Sequence, residues 1–173
     1  GACSTIGGGQ SNTASGVRST IGGGQGNTAS NTYATISGGI SNCANNTFTS
    51  IGGGQLNSST GAYSTVGGGY SNTASGYMSV VGGGGYVNTA SNSFSTVSGG
   101  CANIASGGIS KVGGGQSNTS SGYLSVIGGG YSNIVSADAA VIAGGRVNLA
   151  CAAGTFIGGG GGNQARNQFG TIG

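Results

Sequence analysis

One isoleucine or valine returns along the chain just before each glycine group, at Ile6, Ile21, Ile36, Ile51, Val66, Val81, Val97, Val112, Ile127, Ile142, Ile157 and Ile172. Every step is 15 residues except that from Val81 to Val97, which is 16. An asparagine keeps the same beat at Asn12, Asn27, Asn42, Asn57, Asn72, Asn88, Asn103, Asn118, Asn133, Asn148 and Asn163. The extra residue lies between Val81 and Asn88, in "GGGGYVN". It therefore belongs to a glycine turn and leaves both flanking segments in phase. Placed inside a strand, it would flip every later side chain to the other face.

Each unit divides into two short strand-like segments, "YSTVG" and "NTASG", with glycine-rich corners between them. Gly, Ser, Thr and Asn are poor helix formers and no apolar spacing of three and four recurs, so helix is not expected. A 15-residue unit cannot bury a face alone but can when stacked on copies of itself. The predicted fold is all-β, a parallel β-solenoid of about 11–12 coils forming one domain over residues 1–173. At about 4.8 Å per coil the rod is roughly 50–55 Å long. Period-2 alternation turns Ala34 and Ile36 inward and Tyr33 and Thr35 outward, and likewise Asn27 and Ala29 inward with Thr28 and Ser30 outward. The predicted core is thin: a ladder of Ile and Val, a row of small residues, and stacked Asn amides that pair along the rod. Such a core buries little apolar area per residue, while ordering so much glycine is costly, so an isolated rod is expected to be marginal.

Three residues before each Ile or Val stand Cys3, Arg18, Tyr33, Phe48, Tyr63, Met78, Phe94, Ile109, Leu124, Ala139, Gly154 and Phe169. Eight of these twelve are large and apolar (Tyr33, Phe48, Tyr63, Met78, Phe94, Ile109, Leu124, Phe169), which makes a stripe longer than a monomer usually leaves in water. Either the stripe is a lateral oligomer interface, or the strand bends there and the aromatics cap the solenoid's own core.

Composition narrows function by exclusion. The 173 residues include 44 Gly, no Pro, no His, a single acidic residue (Asp138) and four basic ones (Arg18, Lys111, Arg146, Arg166). General acid–base catalysis and metal ligation by His or paired carboxylates have no residues to work with, so neither an enzyme nor a cofactor is expected. Four scattered positive charges make no patch for nucleic acid. No apolar run reaches the ~18–20 residues of a membrane span. The absence of Pro and of a Gly-X-Y period argues against collagen or a Pro-rich disordered tract.

The phrase "STIGGGQSNTASG", recurring as "STVGGGYSNTASG" and "SVIGGGYSN", resembles the head repeats of YadA-type trimeric autotransporter adhesins and the related β-roll segments of phage and viral fibres. The resemblance covers nearly the whole chain. It implies a left-handed parallel β-roll, a homotrimer or filament, display on a cell or virion surface, and receptor or glycan contact on exposed corners. Both ends stop in phase with the repeat, an arrangement expected to continue into flanking segments or to stack end to end.

A different class is open as well. Thr13 and Ser15, Thr28 and Ser30, Thr73 and Ser75, Thr89 and Ser91, and Thr119 and Ser121 form a Thr-x-Ser ladder similar to the ice-binding face of solenoid antifreeze proteins, broken at Cys43, Ile104, Ile134, Leu149 and Gln164. Cys3, Cys43, Cys101 and Cys151 fall on coils too far apart for an intrachain disulfide. They are expected to be small buried hydrophobes, or else partners in bonds between chains. Asn45-Asn46-Thr47, Asn57-Ser58-Ser59 and Asn118-Thr119-Ser120 match the glycosylation acceptor pattern, as chance allows in a chain so rich in these residues.

Overall fold

The computed structural model describes residues 1–173 as a parallel β-solenoid with 23 two-residue strands, from β1 (Thr5–Ile6) and β2 (Thr13–Ala14) to β22 (Gln164–Ala165) and β23 (Thr171–Ile172). Odd-numbered strands stack in one 12-stranded sheet and even-numbered strands in an 11-stranded sheet. The register follows the repeat, Ile6 beside Ile21 and Thr13 beside Thr28. It stays in phase across the long interval, with Val81 beside Val97 and Thr73 beside Thr89.

Two segments per coil is an undercount. A third rung runs along Gln10, Gln25, Ile40, Gln55, Tyr70, Tyr86, Cys101, Gln116, Tyr131, Arg146 and Gly161, each bridged in parallel to the next. One bridging residue per side is too short for period-2 alternation to reveal. The segments are also shorter than the sequence suggests. Tyr33 is not a strand residue but lies in a turn closed by the Ala34 N–H donating to Asn31 O at 3.1 Å.

Between the two sheets lies a core one or two side chains thick. Ile21, Ile36, Ile51, Val66, Val81, Val97, Val112, Ile127, Ile142 and Ile157 are fully buried. Ile6 and Ile172 are not, because each has a neighbouring coil on one side only; Ile6 is 44% exposed. Small residues fill the opposing positions, and their sizes are matched within a coil. Where Ser59 and Ser120 replace the usual Ala, their hydroxyls pair with Ser64 and Ser125 at 2.7 Å. In the coil where the larger Val135 stands at that place, the serine row gives way to Ala140.

Asparagine holds the coils in line. Asn42 is 1% exposed. Its amide donates to Gly38 O of its own coil at 3.1 Å and to Gly54 O of the next at 2.9 Å. Its Oδ1 accepts the Asn57 N–H at 3.0 Å. The same Oδ1-to-N–H link repeats without a gap from Asn12 to Asn163. The glycine corner is built around this ladder. At Gly24, whose φ is +95°, a Cβ would overlap Gly39 O and lie 2.9 Å from Asn27 Nδ2. The inserted residue interrupts the pattern on both sides of the loop through Gly84: Asn72 keeps its bond to Gly68 O at 2.9 Å but makes none to the glycine corner ahead, and Asn88 keeps its bond to Gly100 O at 2.8 Å but makes none to the carbonyl four residues back.

Two outcomes follow for stability. Asn103→Ala strands the Gly99 carbonyl and the Asn118 N–H and takes one of two donors from Gly115 O, which keeps the Cys101 N–H. At ~1–3 kcal/mol for each buried unsatisfied group, partly relieved by water, it is expected to lower the unfolding free energy by roughly 2–4 kcal/mol in urea denaturation. Deleting Gly84 restores an even 15-residue spacing and returns a carbonyl to Asn72. The unfolding free energy is expected to rise by the ~0.5–1.5 kcal/mol of one net hydrogen bond, seen as a higher urea midpoint; a fall would show that the loop is needed.

Candidate functional site

No group of three or more His, Cys, Asp or Glu is placed to hold a metal ion. No helix is long and apolar enough to cross a membrane. What the rod does display is its corners.

The row three residues before each Ile or Val stands on one corner, pointing outward. Tyr33 is 37% exposed, Phe48 44%, Tyr63 45% and Phe94 49%, and Met78, Ile109, Leu124 and Phe169 are exposed as well. These side chains do not cap the core. They stack on one another: Tyr33 and Phe48 lie 4.7 Å apart and nearly parallel, Phe48 and Tyr63 5.0 Å apart. The series continues edge-to-face through Tyr77 to Phe94 at 5.8 and 5.7 Å. Arg18 terminates it, its guanidinium 5.5 Å from the Tyr33 ring centroid and hydrogen-bonded to the Tyr33 hydroxyl. Offset stacks and cation–π contacts of this kind contribute about 0.5–1.5 kcal/mol each.

Backbone geometry at this corner is what sequence reading missed. Every non-glycine member of the row has φ between +52° and +60°. That left-handed conformation costs an L-residue roughly 1–2 kcal/mol and is usually given to Gly or Asn. Hydrogen bonding between coils explains why the corner adopts it. The Tyr33 N–H donates to Val17 O in the coil behind, while the Thr35 N–H two residues on donates to Thr49 O in the coil ahead. The turn reverses the direction of donation, and glycine is accepted there, as Gly154 at φ +68° shows. Bulky apolar residues occupy a place that glycine fits with less strain.

Beside this row the corner is notched. Ser93 and Gly108 stand where coils on either side carry Tyr77 and Tyr123, leaving an open cavity of about 580 Å³ lined also by Asn92, Phe94, Ser106, Ile109 and Ser121. A Cβ at Gly108 would come within 3.2 Å of the Tyr123 ring, so the glycine lets the ring lie against the backbone. The Asp138 carboxylate accepts the Tyr123 N–H at 2.8 Å from the next coil.

The cysteines correct one expectation. None is buried: Cys3 and Cys151 are exposed, Cys43 and Cys101 half-buried, and all four are free. They occupy outward or corner positions, where the thin core has no room to take them in. Two of the three acceptor motifs are closed to modification in the folded rod, since Asn57 and Asn118 belong to the buried ladder, whereas Asn45 is exposed.

Burial pushes the Cys43 thiol pKa up. A raised pKa means less thiolate at a given pH, and thiolate is the nucleophile. Cys3 and Cys151 are therefore expected to alkylate before Cys43 in iodoacetamide labelling at pH 8 followed by mass spectrometry, with no intrachain disulfide detected. Labelling of Cys43 first would contradict its placement.

Comparison with protein-family models and with curated proteins returns no match, so the corner geometry stands as the ground for a functional reading.

Proposed function

We propose that the chain is a structural and adhesive fibre protein, displayed outside a cell or on a particle surface. It associates with copies of itself and performs no catalysis. The observation that carries this is the exposed, self-stacked row from Tyr33 to Phe94, continued by Ile109 and Leu124 and held at strained φ. Side chains of ~150–250 Å² each, roughly two-fifths exposed, sum to on the order of 600 Å² or more along one edge, beyond what a monomer commonly leaves wet. That approaches the ~800 Å² per partner of a stable interface. With four basic residues and one acidic one, side-by-side rods meet little repulsion. The notch over Gly108, neutral in its lining and walled by aromatic rings, is the place on this edge best shaped for a sugar or receptor group.

Ice binding is the weaker reading. The register sets Thr13, Thr28, Thr73, Thr89 and Thr119 in one line on the 11-stranded sheet, but the same line carries Cys43, Ile104, Ile134, Leu149 and Gln164. A regular hydroxyl array does not survive those substitutions.

Replacing Tyr33, Phe48 and Tyr63 together by Gly removes the stacked side chains and leaves a residue the corner accepts. Unfolding free energy is expected to stay within about 1 kcal/mol, because lost stacking offsets relieved strain. Sedimentation velocity and electron microscopy should show assemblies for the wild type and their loss in the variant. A drop of several kcal/mol with unchanged association would mean the row serves the fold instead.

A further inference from the structure

The rod has a second apolar edge. Leu56, Tyr70, Tyr86, Val87, Tyr131 and Val147 are exposed by 38–53%. They stand on the third rung and on the residue after it, at the far margin of the 11-stranded sheet from the Tyr33 row. The chain path shows this: Leu56 precedes the strand Ser58–Ser59, and Tyr63 follows it. Tyr70 and Tyr86 stack at 5.2 Å with their rings 8° from parallel.

This corner repeats the backbone arrangement of the first. Leu56, Val87 and Val147 have φ of +58°, +56° and +56°. Their N–H groups donate to the coil behind, at Ile40 O, Tyr70 O and Tyr131 O. Gly26 and Gly162 hold the same place at φ +66° and +71°, so glycine is compatible here too. β-branched valines are poor occupants of such a conformation. Both margins of one sheet therefore carry large apolar residues where the backbone does not favour them. Their main runs also lie at the same height: Tyr33 to Phe94 on one edge, Leu56 to Val87 on the other, each rising one rung per coil and both crossing the 16-residue coil.

We infer that the Leu56–Tyr70–Tyr86–Val87 edge is the complementary half of a heterologous interface, receiving the Tyr33–Phe94 edge of a second copy of this chain lying parallel and in register beside it. Equal rung spacing lets side chains of one edge lie between rungs of the other without a change of pitch. A two-fold pairing through either edge alone leaves the other in water. Pairing unlike edges covers both, and such an interface closes into a ring or continues as a filament. The inference rests on the self-association proposed above and specifies its partner surface.

Mixing complementary variants tests it. One variant carries Phe48→Gly and Tyr63→Gly, which disables the first edge. The other carries Leu56→Ser, Tyr70→Gln, Tyr86→Gln and Val87→Ser, each a residue that other coils hold at the same place, as Ser71, Gln55, Gln116 and Ser117 do. Circular dichroism and urea unfolding establish that both fold. Each variant alone is expected to remain monomeric at concentrations at least ~10-fold above those at which the wild type assembles. An equimolar mixture is expected to form a 1:1 dimer that does not grow, seen by sedimentation velocity and native mass spectrometry. If the second variant assembles like the wild type by itself, or if mixing yields no dimer, the heterologous pairing is overturned while self-association stands. A wild type that stays monomeric throughout overturns both.

Discussion

An asparagine amide enclosed in the core is the constraint on which this rod depends. The Nδ2 group needs two acceptors and the Oδ1 needs donors, and an unmet polar group in a core this thin costs more than the core gains nearby. Only the chain itself can supply partners: a glycine carbonyl four residues back, a second in the next coil, and the backbone N–H of the next asparagine. Three consequences follow from that geometry. The coil must repeat at a length that brings asparagine over asparagine; the facing corner must be glycine, because a Cβ would collide with the amide; and a coil needs neighbours above and below. Burial shows the last point, with Asn12 and Asn163 half-buried on the terminal coils and Asn27 through Asn148 enclosed.

Hydrogen bonds rather than apolar area therefore set the shape. The ladder bonds between coils extend past the two-residue strands, as from the Gly7 N–H to Ile21 O and the Thr13 N–H to Asn27 O, and the corners add more, as from the Gln10 N–H to Gly24 O. Ile and Val fill what space is left, and serine hydroxyls fold back on the carbonyl three residues earlier, as Ser19 does to Gly16 O at 2.9 Å. Ser79 and Ser110 are exceptions without a partner. A core so thin cannot take in aromatic rings, and every Tyr and Phe of the chain is exposed. The exterior of this rod is more aromatic than its interior, the reverse of an ordinary domain. Function is accordingly to be sought at the corners, where the rod's low charge leaves stacking and shape as the main sources of specificity.

Much of this was legible in the sequence. The 15-residue beat of Ile or Val and Asn is visible by inspection, and with it the solenoid, the inward Asn row and the placing of the added residue in a turn that leaves the strands in phase. The outward row from Tyr33 to Phe169 was legible too, because its members share one place in the repeat. The burial expected of Cys3, Cys43, Cys101 and Cys151, if they did not bridge chains, was not met: a small apolar side chain at an outward or corner position stays at the surface, and position within the repeat outweighs the residue's preference.

What only the tertiary structure decided is how the backbone turns. The third rung at Gln10 and its equivalents involves one residue per coil, too few for alternation to register. The left-handed corners carry Tyr, Phe, Leu and Val, so no glycine signal marks them, and their conformation is explained by a hydrogen bond to a residue sixteen positions earlier in the coil behind. Through that bond the structure brings two apolar edges to the margins of one sheet, a relation that residue order implies only after the path of the coil is known. A repeated sequence determines by itself that coils stack and which residues share a column. Where each column points is a property of dihedral angles that satisfy hydrogen bonds between coils, and those exist only once the coils are stacked.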